Sequence, residues 1–384
     1  MKRIYLDHAA TTPTANEVVE SMIPFFSKNY GNASSLHKEG QICRRIIEEC
    51  RRKMARFINA KEGEIIFTSS GTESNNTVLK GIAFSKLGKE KNHIIISKIE
   101  HHAILEPCKF LEKRGFEITY LDVNKDGLVN PKDVEKAIKK NTLLVSIMHV
   151  NNEIGTIQPI GEIGKICKKK RVIFHTDAVQ SFGKLAIDVN KLHIDLLSAS
   201  AHKIYGPKGV GLLYIRRGIE IEPLLHGGNH EFGLRSSTEN VAGIVGFTKA
   251  MELCAKNMKK ESRRLTYLRD KLIGAVLKIP NTRLNGHATT RIYNNANFSF
   301  RGIEGESLVM HLDMAGISAS TGSACSTKEL EPSHVLKAIG LDDIEAHGSL
   351  RLTLGRSTTE KDIEYTVRKI KDIVYNLRKI SPVT

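Results

Sequence analysis

A chain of 384 residues, 40% hydrophobic and 26% charged, has the make-up of a soluble globular protein and is long enough for two domains. No apolar run approaches the roughly 20 residues that span a bilayer, and the opening MKRIYLDHAATTP has no signal-peptide core, so a cytoplasmic protein without membrane contact is expected. Lys and Arg outnumber Asp and Glu by 58 to 42, a net +16 that would attract tRNA or an acidic protein, yet most basic residues alternate with acids on helix-like stretches and no nucleic-acid motif occurs, so direct nucleic-acid binding is not expected.

Short β-branched runs punctuate the first half of the chain: EIIFTS (64–69), HIIIS (93–97), EITYLD (117–122), LLVSIMHV (143–150), VIFHTDA (172–178) and LLSAS (196–200), with helical segments between them. This β-α-β alternation predicts a mostly parallel sheet. A seventh run, GVGLLYIRR, follows after only a short turn, which predicts a hairpin and an antiparallel neighbour. A helical pattern then runs from Asn240 to about Ile279, roughly 40 residues, and leads into an α+β unit built around NANFSFRG, GESLVMHLDMAG and SLRLTLGR. The predicted organisation is a large domain over residues 13–255 and a smaller one combining 1–12 with 256–384.

Six cysteines, at 43, 50, 108, 167, 254 and 325, show no CxxC pair and no metal-ligand spacing, so neither a zinc site nor a disulfide framework is expected. Cys325 differs from the rest, because STGSACSTKE surrounds it with small and polar residues.

Polar clusters follow the predicted strands and would gather along one edge of the sheet, where open α/β folds place their chemistry. FTSSGTESNN offers a tight turn at Gly71 and a helix start at Thr72, an anion cradle or a plain N-cap. EHHA places His101 and His102 at another helix start, and HVNNEIG places Asn151 and Asn152 after a strand; both patterns also suit turns. HTDAVQS sets Asp177 at a strand end with Gln180 three residues on, and SASAHKIYGPKGVG sets Lys203 where a strand meets a glycine-rich turn. A lysine, a carboxylate, a flat ring and an anion cradle on one edge are the parts that pyridoxal phosphate requires.

With these motifs in order, and with YLDHAATTP, GLRSSTENV, STGSACSTKELEPSHVLKAIG and SLRLTLGR, the chain resembles the NifS/IscS-type cysteine desulfurases over nearly its whole length. These are pyridoxal phosphate enzymes of the class V aminotransferase family. The resemblance implies their fold, a PLP-dependent transferase of fold type I: α/β, with a mixed seven-stranded sheet in a large domain and a smaller α+β domain. It implies Lys203 as the lysine joined to the cofactor, Asp177 at the pyridine nitrogen, Gln180 at the phenolate oxygen and His101 stacked on the ring. Gly71, Thr72, Ser200 and His202 would hold the phosphate, with Thr238 reaching in from the second subunit of a homodimer. Asn152 and Arg351 would meet the substrate carboxylate, and Cys325 matches the nucleophile.

The activity implied is conversion of L-cysteine to L-alanine, with the sulfur held as a persulfide on Cys325 and passed to an acceptor such as an iron-sulfur scaffold or a tRNA-thiolation enzyme. No resident metal is implied; Cys325 is at most a transient iron-sulfur ligand. The alternatives are a selenocysteine lyase or another lyase or aminotransferase of the family, and a non-catalytic assembly partner. Pro332 lies about seven positions after Cys325, which resembles the longer-loop members, and the ending SPVT is short beside members that dock scaffolds.

Overall fold

The computed structural model describes residues 3–322 and 332–380. A two-residue strand, β1 (Ile4–Tyr5), opens the chain, and seven strands follow: β2 (Ile65–Thr68), β3 (His93–Ser97), β4 (Glu117–Leu121), β5 (Thr142–Ser146), β6 (Ile173–Asp177), β7 (Leu196–Ser200) and β8 (Gly211–Ile215). They form one sheet in the order β2-β8-β7-β6-β5-β3-β4. Only β8 runs against the others, pairing antiparallel with both β7 and β2. The hairpin expected from the short turn after Ser200 is therefore present, and its antiparallel strand lies inside the sheet.

Strands β2, β3, β5, β7 and β8 are buried along their whole length, as befits a sheet covered on both faces. Consecutive Ile94, Ile95 and Ile96 are each fully buried, the even pair on one face and Ile95 on the other. Each such side chain contributes about 1.5–3 kcal/mol of burial. β4 closes one edge, and its Glu117 pairs there with Lys139, a charge that discourages a further strand. The fifth run ends as a strand at Ser146 and not Val150. Ile147 and His149 nonetheless keep bonding to His175 O and Asp177 O, at 3.1 and 2.9 Å, and carry the chain toward the sheet edge.

The helix predicted from Asn240 spans Val241–Val276, with the Asn240 side chain capping Gly243 N. At about 1.5 Å per residue it is about 54 Å long. Its first half packs Phe247, Met251 and Cys254 on the large sheet; its second half packs Leu265, Leu268, Leu272 and Val276 into a separate core. That second core surrounds an antiparallel sheet of β9 (Thr282–Asn285), β10 (Asn295–Phe300) and β12 (Ser349–Thr353). β1 pairs with β11 (Ile317–Ser318), and Leu6 O accepts from Thr353 N, so the N-terminal segment lies against this second sheet. No helix among the described residues is long and apolar enough to cross a membrane.

Candidate functional site

The parallel strands deliver their C-terminal ends to one side of the sheet, and a cavity of about 450 Å³ opens there. Eleven of the residues singled out in the sequence line it: Gly71, Thr72, His101, His102, Asn152, Asp177, Gln180, Ser200, His202, Lys203 and Arg351. Thr238 does not. It is exposed and borders a different pocket with Phe67, Glu231 and Arg235. Cys325 falls in residues 323–331, outside the described residues.

Lys203 sits in a single 3-10 turn, Ala201–Lys203, directly after β7. Its ammonium donates to the carbonyls of Ala9 and Ala10, at 2.7 and 2.6 Å. Asp177 ends β6, 5% exposed, with Oδ1 accepting from Val179 N at 2.9 Å and Oδ2 from Asn75 Nδ2 at 2.7 Å. Two donors hold the carboxylate still and leave lone pairs on each oxygen for one more. Gln180 Nε2 donates to Ala9 O at 2.9 Å.

The anion cradle is a real helix start. Helix Gly71–Phe84 is capped by Ser70 Oγ, which takes Glu73 N, while the N–H groups of Gly71 and Thr72 find no acceptor among the described residues. Gly71 lets Val179 approach closely: a Cβ there would lie 2.6 Å from Val179 Cγ2, which would have to move. The N-cap is thus Ser70, and the next two residues supply the N–H groups that an anion could use.

His101 and His102 both face the cavity, but their roles differ. His101 is the N-cap of helix His102–Glu112, its Nδ1 accepting from Ala103 N at 3.0 Å. That bond places the proton of the neutral ring on Nε2. Burial pushes the His101 pKa down, against the pull of Asp177 and helped by Lys203, so the ring is neutral near pH 7. Burial, with Lys203 and Lys208 next, pushes His202 down to about 4.

Arg351, on β12, brings the second sheet to the cavity and is 2% exposed. Its NH1 donates to the carbonyls of Asn152 and Gly322, each at 3.2 Å, and NH2 pairs with Asp7 Oδ1 at 3.0 Å. Among the described residues, Nε alone of its nitrogens has no partner. A buried donor without an acceptor is costly, and a ligand carboxylate would satisfy it.

A family model of the class-V aminotransferases matches residues 4–366. The chain belongs to that family. Among curated members, one from Dictyoglomus turgidum named cysteine desulfurase IscS is 57% identical over 384 residues, covering 100% of this chain and 97% of that one. A solved NifS-like protein superposes with a TM-score of 0.92 at 39% identity, covering 97% of this chain and 100% of the other. A structure described as SspA in complex with cysteine gives 0.81 at 39% identity, covering 91% and 98%.

For this class-V aminotransferase, sequence reasoning overlooked Ala9, Ala10, Asp7 and Asn75. Asn75 lay within a motif already noticed, FTSSGTESNN, and its spacing of four from Gly71 puts it one turn further along the same helix. The N-terminal residues gave no chemical signal, because Ala9 and Ala10 act through backbone carbonyls.

Proposed function

We propose that this chain is a cysteine desulfurase that uses pyridoxal phosphate and carries sulfur on Cys325. The observation that carries the reading is the convergence of Lys203, Asp177 and Arg351 on one cavity, with Arg351 Nε lacking a partner among the described residues. The residues fit the cofactor: Lys203 would join its aldehyde, Asp177 its ring nitrogen, Gln180 its phenolate oxygen and His101 its ring face. Gly71, Thr72, Ser200 and His202 would hold the phosphate, completed by Thr238 of a second copy in a homodimer. When bound, the cofactor supplies an electron sink that weakens bonds at the substrate's α-carbon.

The chain's own residues do the rest. Arg351 Nε and Asn152 take the substrate carboxylate, which orients the α-carbon toward Lys203. Lys203 Nζ removes the α-proton, and His101, protonated on Nε2, serves as the proton shuttle. In the net step the carbon–sulfur bond of L-cysteine breaks and a sulfur–sulfur bond to Cys325 forms. One of the two thiol protons ends on the methyl of alanine and the other on the persulfide. The other cysteines suit this role poorly: burial pushes the thiols of Cys43, Cys50, Cys108, Cys167 and Cys254 up, Cys167 to about 12. The sulfur then passes to an acceptor protein, such as an iron-sulfur scaffold or a tRNA-thiolation enzyme, in the cytoplasm. Residues 13–255 serve as the cofactor-binding unit, and 1–12 with 256–384 as the unit carrying Arg351 and Cys325.

Purified protein given L-cysteine and a thiol reductant should release alanine and sulfide in equal amounts. Lys203→Ala should release neither and show no visible cofactor band. Turnover in that variant, or alanine without sulfide, would overturn the reading.

A further inference from the structure

After β6 the chain makes two tight turns: Ser181 N and Phe182 N donate to Ala178 O at 3.0 and 2.7 Å, and Lys184 N donates to Ser181 O at 2.9 Å. Gly183, at φ +72°, turns the backbone so that the next side chain runs inward. That side chain is Lys184, only 7% exposed. Its Nζ donates to Gln180 Oε1 at 3.2 Å and forms no ion pair among the described residues. Burial, and Lys203 beside it, push its pKa down to about 7. A lysine held inside a protein by one neutral acceptor is expensive, and such sites are retained for function more often than for stability.

The Gln180 amide is gripped from both ends. Oε1 accepts from Lys184, Nε2 donates to Ala9 O at 2.9 Å, and Ala9 O also accepts from Lys203. An amide turned over would set its NH₂ against the Lys184 donor and its oxygen against the Ala9 carbonyl. We propose that Lys184 is a positioning residue: by donating to Gln180 Oε1 it fixes the amide so that the second N–H of Nε2 is presented to the cavity, where it meets an anionic oxygen of the ligand. This rests on the reading that the cavity holds pyridoxal phosphate.

The test titrates full-length apoprotein with pyridoxal phosphate and follows the visible band. Lys184→Met, which removes the donor at similar length, should weaken binding about 3- to 10-fold, the worth of one hydrogen bond. Lys184→Arg, which restores a donor and borders a small cavity of about 30 Å³, should recover affinity to within about twofold. On a Gln180→Met background, Lys184→Met should have no further effect, because its only route is through that amide. Wild-type affinity in Lys184→Met, or a loss of full size on the Gln180→Met background, would overturn the role. Should the methionine variant not fold, Lys184→Gln, polar but too short to reach Oε1, should show the same loss and the same dependence on Gln180. A wild-type chain that takes up no pyridoxal phosphate would overturn the reading of the cavity itself, an outcome separable from any behaviour of the variants.

Discussion

Replacing Arg351 with alanine should remove the chain's preference for substrates that carry a carboxylate. The side chain is 2% exposed, its NH1 and NH2 bond Asn152 O, Gly322 O and Asp7, and Nε has no partner among the described residues. Truncating one partner of a buried, hydrogen-bonded charge pair costs about 2–5 kcal/mol. At about 1.4 kcal/mol per factor of ten, kcat/KM for L-cysteine should fall about 30- to 4000-fold. Arg351→Lys keeps the charge but loses the fork, and should sit between the two. Loss of activity alone would not separate binding from folding, so the informative assay is competition by cysteamine, which has the amine and thiol of cysteine without its carboxylate. The wild type should discriminate strongly in favour of cysteine, and Arg351→Ala should bind the two with similar affinity. If the variant still prefers cysteine by the wild-type margin, Arg351 does not hold the carboxylate.

His175 makes a pH-dependent contribution of known sign. It is fully buried between Ser146 Oγ and Ser198 Oγ, at 2.8 and 3.0 Å, and burial pushes its pKa down to about 3. Below the unfolded value near 6.5 the unfolded chain gains a proton that the folded chain refuses, so stability is lost as pH falls, by up to about 1.4 kcal/mol per pH unit. His175→Asn should show a slope smaller by that amount in urea unfolding between pH 6 and 4; equal slopes would refute it. For Thr238, exposed in its own chain, dilution that dissociates the dimer should release the cofactor at the same concentrations. A monomer that keeps its cofactor would contradict the shared site.

The sheet was legible because most of its strands are short apolar runs, five of them buried along their whole length, and such runs read clearly even without alternation. The lone antiparallel strand was legible because ten residues between Ser200 and Gly211 leave no room for a crossover helix. The site was legible where chemistry is local: Asp177, Lys203 and the Gly71 turn each close a strand. It was not legible where distant segments meet. Ala9 and Ala10 reach Lys203 through their backbones, across more than 190 residues, and alanine carries no sign of that role. Asp7 lies in the YLDHAATTP motif with no assigned role; its place is set only when the fold brings Thr353 and Arg351 beside it. Local pattern alone does not separate His101 from His102; the resemblance picks His101, and in the structure His101 is the one whose Nδ1 accepts from Ala103 N.

The central claim is that sulfur from L-cysteine is held on Cys325, and mass spectrometry tests it most directly. Protein loaded with pyridoxal phosphate is exposed briefly to cysteine labelled with heavy sulfur, without reductant, then alkylated and digested. One added heavy sulfur should appear on the peptide that carries Cys325, with none on those carrying Cys43, Cys50, Cys108, Cys167 or Cys254, and Cys325→Ser should release almost no alanine. Heavy sulfur on any other cysteine, or alanine made by the serine variant at the native rate, would contradict the account.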